Sequence, residues 1–141
     1  MDFVIHPQLL ADCHRLGKLR LCHVLLHRNA VLPWFILAPE TEVSDLLDLP
    51  DDMRHAAMDE AAMIARFIKT RLGYEKINFA AIGNVVPQLH LHVVGRSKDD
   101  SCWPAPVWGH LNEAREYSTA KLERIATLLQ GDCGLQRAIE R

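Results

Sequence analysis

The chain has 141 residues, of which 49% are hydrophobic and 24% charged, and its formal net charge at pH 7 is −2. This length is typical of one domain, and the apolar content excludes an intrinsically disordered protein. The near-neutral charge argues against a protein that coats a nucleic acid polymer or a membrane surface, because both need a strongly basic face.

The spacing of apolar residues predicts a mixture of strands and helices within one domain, residues 1–141. Helices are expected over residues 6–18, 51–72 and 117–130, and strands over residues 19–27, 34–38, 75–82 and 89–94. The long helix is the clearest of them, since Pro50 and two aspartates form its first turn and Gly73 follows its last. Antiparallel strands with helices between and after them predict an α+β fold.

The sequence predicts a cytoplasmic protein with no cofactor. Its four cysteines form no C-x-x-C pair and no zinc-finger spacing, so reduced thiols are expected. The first residues lack the pattern of a signal peptide, and no apolar run approaches the length of a transmembrane helix. Neither a P-loop nor a dinucleotide-binding glycine motif is present.

Most of the functional information lies between Val86 and Arg96. On a strand, Gln88, His90 and His92 would share one face, roughly 6.5–7 Å apart, while the leucines between them face the core. That spacing suits side chains that reach neighbouring oxygens of one polyphosphate. Two other interpretations stay open from the residues alone: tolerated surface histidines, or a metal site. Glutamine is a poor third ligand for zinc, which weakens the metal interpretation.

The run from Gln88 to Val94 resembles the signature of the histidine triad (HIT) family, in which three histidines alternate with hydrophobic residues. Residues 31–37 and the helix and strand that precede the motif are also similar to the family pattern, so the resemblance covers about residues 19–96. It implies a HIT-like fold, an antiparallel sheet with a long helix and additional N- and C-terminal helices. It also implies a homodimer, because relatives pair through their sheets and long helices.

The resemblance implies a nucleotide substrate and a reaction at the α-phosphate of a nucleoside phosphate derivative, such as a dinucleoside polyphosphate or a nucleoside phosphoramidate. His90 matches the nucleophilic histidine, which would form a nucleotidyl-histidine intermediate, and His92 matches the histidine that contacts phosphate oxygens. A neutral imidazole is a competent nucleophile at pH 7. The short chain favours water over a sugar phosphate as the acceptor, and so a hydrolase over a nucleotidyl transferase.

Gln88 departs from the family pattern, because it stands where the first histidine usually does, and this places the chain in a branch with glutamine there. Glutamine can orient a phosphate oxygen or a leaving group by hydrogen bonds, but it cannot transfer a proton. Leaving groups that need protonation are therefore expected to turn over slowly. The alternative function is a catalytically weak nucleotide-binding or regulatory protein.

Three further residues are expected to bind the nucleotide or its phosphate. Asn84 lies on the turn before the motif, where relatives often place polar groups that contact the phosphate. Asn78 is unusual for a strand interior, and His27 matches a position where relatives use a polar residue against the ribose. Leu25 and Phe35 are interpreted as walls of a base pocket or as core, and the loop from Trp103 to Trp108 as packing, a pocket cap or a dimer contact.

Overall fold

The computed structural model describes residues 2–138, which contain three α-helices and six strands. In chain order these are α1 (Pro7–Asp12), β1 (Cys13–Lys18), β2 (Cys22–His27), β3 (Trp34–Pro39), α2 (Asp51–Leu72), β4 (Lys76–Ala80), β5 (Leu91–Arg96), α3 (Thr119–Cys133) and β6 (Gln136–Arg137). Within this part of the chain, no helix is long and apolar enough to cross a bilayer.

The strands form one sheet in the order β4-β5-β3-β2-β1-β6, and every neighbouring pair is antiparallel. The predicted α+β architecture, with its long helix and its additional N- and C-terminal helices, is therefore confirmed. The order brings β5, which carries the end of the motif, between β3 and the edge strand β4.

The long helix has the bounds that its sequence predicts. Its apolar side chains, among them Ile64, Phe67 and Ile68, are buried against the sheet, and Gly73 ends it in the left-handed region at φ 79°. One acidic residue of the helix, Glu60, is buried as well. The carboxylate of Glu60 accepts hydrogen bonds from the backbone N–H groups of Leu21 and Cys22 at 3.0 and 2.8 Å, which attaches the helix to the start of β2.

The predicted first helix is wrong in its second half, because residues 13–18 form β1. The chain turns extended at Cys13, and β1 then pairs with β2 on one side and β6 on the other. The two-residue strand β6 has too little sequence for any periodicity. Gly17 allows it to approach, since a Cβ there would lie 2.0 Å from the carbonyl oxygen of Gln136.

The two faces of the sheet have different roles. One face packs against α2 and α3 and holds the larger hydrophobic cluster, which includes Leu91 and Val93 of the motif strand. The other face carries a smaller cluster beneath the N-terminal segment and the loop that contains Trp108. Because β5 alternates between these faces, His92 points to the second one, where it is available for a site.

Candidate active site

A cavity of about 360 Å³ lies on the second face and contains both motif histidines. Its remaining lining comes from three parts of the chain. Strands β2 and β3 contribute His27, Trp34 and Ile36, helix α1 contributes Gln8, Leu9 and Asp12, and residues 82–86 form a further side, with Trp108 beside them. Ile36 lies directly across from His92 in the sheet register, so alternate residues of β3 and β5 reach the same cavity.

The imidazole of His90 is held by the backbone of its own segment. Its Nδ1 lies 2.7 Å from the carbonyl oxygen of Gln88. A carbonyl only accepts hydrogen bonds, so Nδ1 carries the hydrogen and the neutral ring keeps its lone pair on Nε2. His90 is 7% exposed and lines the cavity. The ring is thus prepared to act as a nucleophile through Nε2.

His92 has the opposite tautomer. The indole N–H of Trp34 donates to its Nδ1 at 3.0 Å, and because an indole nitrogen can only donate, the neutral ring carries its hydrogen on Nε2. Burial, together with the nearby His90 and His27, lowers the pKa of His92 to about 4. At neutral pH this side chain is therefore an uncharged hydrogen-bond donor.

Two adjacent rings thus offer complementary chemistry to one ligand. The ring centroids of His90 and His92 are 5.0 Å apart, and the rings meet edge to face. One ring presents a lone pair and the other an N–H, which together suit attack on phosphorus and stabilisation of the negative charge on its oxygens.

His27 also lines this cavity. Its Nδ1 accepts from the backbone N–H of Asn29 at 3.1 Å, which leaves Nε2 as a donor in the neutral ring. Burial lowers the pKa of His27, an effect that the charge of Asp12 opposes. The ring stacks on Trp34 with centroids 4.3 Å apart and an interplanar angle of 12°.

Asn84 lines the cavity on its other side, in the loop of residues 82–86, and its side chain is exposed. Gly83 beside it has φ 64°, a conformation that favours glycine and shapes this loop.

Trp108 approaches His92 edge-on, with ring centroids 5.0 Å apart, and also meets Trp34 edge-on at 5.8 Å. The loop from Trp103 to Trp108 therefore contributes to the cavity wall through Trp108.

Gln88 does not join the two histidines in the cavity. Its side-chain oxygen accepts from the backbone N–H of His6 at 2.8 Å, and its amide nitrogen donates to the carbonyl oxygen of Val4 at 2.8 Å. The prediction of a shared face fails here because β5 begins only at Leu91. The residue at the first motif position thus binds the chain's own N-terminal segment.

Asn78 also lies outside the cavity. Its side-chain oxygen accepts from the guanidinium of Arg96 at 2.8 Å. Arg96 is in turn almost fully buried and forms a bidentate pair with Asp100, while Trp103 lies over its guanidinium at 5.6 Å. The expected nucleotide contact of Asn78 therefore has no support from its position, and its amide serves a buried ion pair.

Two contributors to the site are not predicted from the sequence. The sequence places Trp34 only in an apolar strand, yet its indole orients His92, whereas its neighbour Phe35 packs against Phe67 in the core on the opposite face. Side chains alternate between the two faces of the sheet along β3, so Trp34 and Phe35 must point to opposite faces. Which of the two side chains faces the site follows only from the pairing of β3 with β5. Helix α1 was not connected to the site, since no local signal shows that it covers the sheet.

The charge of the cavity is distinctive. Among the described residues that line it, none is lysine or arginine, and Asp12 is the one carboxylate. Nor do residues 2–138 contain a group of three histidine, cysteine, aspartate or glutamate side chains placed to hold a metal ion. Recognition of an anion here therefore depends on neutral donors.

A family model described as the HIT domain matches residues 8–99, more than half of the chain. The chain belongs to the HIT family. Solved HIT structures agree with this assignment over almost the whole chain. A histidine triad protein from Marinobacter aquaeolei VT8 is 35% identical, with a TM-score of 0.86, and the match covers 95% of this chain and 98% of that one.

Two rhizobial structures are similar to the same extent. A histidine triad protein from Bradyrhizobium japonicum is 30% identical, with a TM-score of 0.85 and coverage of 92% of this chain and 97% of that one. A HIT protein from Sinorhizobium meliloti 1021 is 31% identical, with a TM-score of 0.86 and coverage of 92% and 96%. No curated protein matches the chain. Family membership indicates an enzyme of the nucleotide hydrolase or transferase kind.

Proposed function

We propose that this HIT protein hydrolyses a nucleoside phosphate derivative at its α-phosphate, with His90 as the nucleophile. The observation that carries the proposal is the pair of opposite tautomers in one cavity: His90 offers a lone pair and His92 an N–H. Each tautomer is fixed by a partner that can only accept or only donate, so neither ring needs a proton transfer before it acts.

The reaction takes place in two steps. The Nε2 lone pair of His90 attacks the α-phosphorus, the N–P bond forms, and the bond to the leaving group breaks with its electron pair. An amine leaving group takes a proton from solvent as this bond breaks. The modified ring is cationic, and the carbonyl oxygen of Gln88 stabilises it by accepting its Nδ1–H. Water then attacks phosphorus, the N–P bond breaks, and His90 regains its lone pair. One water molecule is consumed, and its two hydrogens end on the nucleotide and the leaving group.

His92 stabilises the charge that develops during both steps. Its Nε2–H donates to a non-bridging phosphate oxygen, and its low pKa keeps the ring neutral at neutral pH. His27 and Asn84 supply further donors at the cavity. Gln88 is assigned no contact with the leaving group, because both ends of its amide have backbone partners. We place the chain in a branch of the family with glutamine at this position.

The lining favours substrates with one reacting phosphate and an uncharged or basic leaving group. A polyphosphate chain carries several negative charges, and the cavity offers it no lysine or arginine among the described residues. Nucleoside phosphoramidates, whose leaving group is an amine, fit this charge better than dinucleoside polyphosphates. The amine must take a proton as the P–N bond breaks, and because Gln88 supplies no acid, we assign that proton to solvent and expect slow turnover.

We also propose a homodimer that forms through β4. This strand lies at the edge of the sheet and therefore has unpaired backbone groups, and Phe79 on it is 39% exposed. Leu47, which lines a groove together with Phe79, is 83% exposed, so apolar surface accompanies the open edge. Sedimentation equilibrium is expected to give twice the chain mass, and a monomer at micromolar concentration would contradict the dimer.

A cytoplasmic location stays a prediction from the sequence.

A substrate panel tests the proposed activity. Purified protein is assayed with nucleoside phosphoramidates and dinucleoside polyphosphates of each common base, alongside His90→Ala and His92→Ala. Wild type is expected to release a nucleoside monophosphate, and His90→Ala to release none above background. His55→Ala is the matched control, since His55 is exposed on α2 outside the cavity. A wild-type protein that binds nucleoside monophosphate but turns over nothing on the panel would favour a binding or regulatory role.

A further inference from the structure

The amide of Gln88 is fully used by the N-terminal segment. It accepts from the backbone N–H of His6 and donates to the carbonyl oxygen of Val4, both at 2.8 Å, across more than eighty positions of sequence. The two bonds resemble those between neighbouring β-strands, except that one side-chain amide takes the place of the partner backbone. A histidine at position 88 could not form both bonds, because its ring nitrogens cannot match the parallel donor and acceptor of an amide.

The segment held in this way lies on the second face of the sheet, the face that carries the cavity. Phe3 stacks on His23 of β2 at a centroid distance of 5.1 Å, and Ile5 and Leu9 are buried in the smaller hydrophobic cluster. We call residues 3–6 the strap. It leads directly into α1, whose first residue is Pro7, so the position of the strap sets the position of the helix.

Helix α1 forms one wall of the cavity through Gln8, Leu9 and Asp12. The side-chain amide of Gln8 donates to the carboxylate of Asp12 at 3.0 Å, which fixes the polar surface of this wall. A carboxylate repels the reacting phosphate, and Asp12 lies close enough to His27 for its charge to act on that ring. The part of the substrate that α1 contacts is therefore the uncharged nucleoside.

We propose that Gln88 is a positioning residue for substrate binding, not a group that contacts the reacting phosphate. It fastens the strap, and the strap places α1 against the nucleoside. The first motif position, which would otherwise face the leaving group, here controls affinity from the far end of the substrate. This inference rests on the proposed function for the identity of the ligand, but not for the anchoring itself.

Two variants remove the anchor from opposite sides. Gln88→Ala removes the amide, and His6→Pro removes the backbone N–H that donates to it, together with the His6 imidazole. Proline fits at this position because His6 has φ −53°. His6→Ala is the matched control, since it keeps the N–H while removing the imidazole that caps α1 by accepting from the N–H of Gln8.

Steady-state kinetics on the best phosphoramidate separate positioning from catalysis. Gln88→Ala and His6→Pro are each expected to raise KM about three- to tenfold, with kcat within about twofold of wild type and the double variant no worse than either. His6→Ala is expected to change KM less than His6→Pro. A lower kcat in Gln88→Ala with no effect of His6→Pro would overturn the proposal, since it would place Gln88 on the leaving group.

Hydrogen–deuterium exchange tests the anchoring without any substrate. Faster exchange over residues 3–12 in both Gln88→Ala and His6→Pro, with α2 unchanged as the folding control, is expected. Unchanged exchange in the strap would overturn the anchoring even if the protein is an active hydrolase. Conversely, an inactive wild type whose strap loosens as expected would refute the proposed function and leave the anchor established.

Discussion

Trp34 orients His92 through a single hydrogen bond of 3.0 Å between the indole N–H and Nδ1. The bond determines which ring nitrogen of His92 carries the hydrogen, and so whether the ring donates to a ligand or accepts from it. Trp34 is itself held by the parallel ring of His27 and the edge of Trp108. The tautomer of a motif histidine is thus fixed by an aromatic cluster from three separate segments.

Replacing Trp34 with phenylalanine should lower kcat while the fold is kept. The Trp34→Phe variant keeps an aromatic ring against His27 but loses the N–H, so His92 no longer has a preferred tautomer. We expect kcat to fall about three- to tenfold, as for the loss of one hydrogen bond. Trp103→Phe is the matched control, because Trp103 lies over Arg96 and does not line the cavity. Equal kinetics for wild type and Trp34→Phe would refute this role.

Acid should destabilise the protein through His92. The unfolded chain binds a proton on this residue near pH 6.5, whereas the folded protein does so only near pH 4 because burial lowers the pKa. The unfolded state therefore binds more protons between these values, and the free energy of unfolding falls as the pH falls through them. We expect a loss of about 3 kcal/mol between pH 7 and pH 4, measured by urea denaturation.

The comparison variant for this pH dependence is His92→Asn, which has no titratable ring. Its free energy of unfolding should fall less steeply than that of wild type between pH 7 and pH 4. His27, whose pKa burial also lowers, contributes in the same direction to both proteins. Parallel pH profiles for the two proteins would show that His92 titrates normally in the folded state.

The buried pair of Arg96 and Asp100 should matter for stability far more than a surface pair. Their side chains are 1% and 3% exposed, so Arg96→Met leaves a buried carboxylate without its cation. We expect a loss of about 3–5 kcal/mol in urea denaturation. Arg71→Met, which breaks the more exposed pair with Asp132, should cost less than about 1 kcal/mol. Similar losses for both variants would contradict the burial of the first pair.

A positive charge at the cavity should change substrate preference. Val85 lines the cavity and is 90% exposed, so Val85→Lys adds a cation without disturbing the core. An added attraction of about 1 kcal/mol corresponds to about a fivefold rise in kcat/KM for a dinucleoside tetraphosphate relative to a phosphoramidate. The rise should shrink at high salt. Thr127→Lys, on the exposed face of α3, is the control, and an equal shift in it would exclude a local effect.

The sequence predicted the elements whose signals are local. The bounds of α2 follow from the acidic first turn and the glycine after the last, and the strand character of β2, β3 and β5 follows from their apolar runs. The spacing of Cys13 and Leu16 predicts a helix over residues 13–18, but β1 is a strand since it has β2 and β6 as neighbours, with a register shift between Arg15 and Gly17. Such long-range pairing overrides the apolar periodicity of a short segment.

In the candidate site too, the local signals are predictive and the long-range contacts are not. The cavity contains His90 and His92, which lie two residues apart in the motif. It also contains His27 and Asn84. Gln88 was expected beside them, but its partners come from residues 4 and 6, a contact that no spacing within the motif reveals. The buried network around Arg96 that takes up Asn78 likewise joins segments far apart in sequence.

The most direct test of the mechanism is the mass of the protein during turnover. Wild type is mixed briefly with a nucleoside phosphoramidate and quenched in alkaline denaturant, since an N–P bond to imidazole is labile in acid, and the intact mass is measured alongside that of His90→Ala. We predict one nucleotidyl group on wild type, located at His90 by fragmentation, and none on His90→Ala. Product release with no adduct on wild type, or an adduct that persists in His90→Ala, would contradict nucleophilic attack by His90.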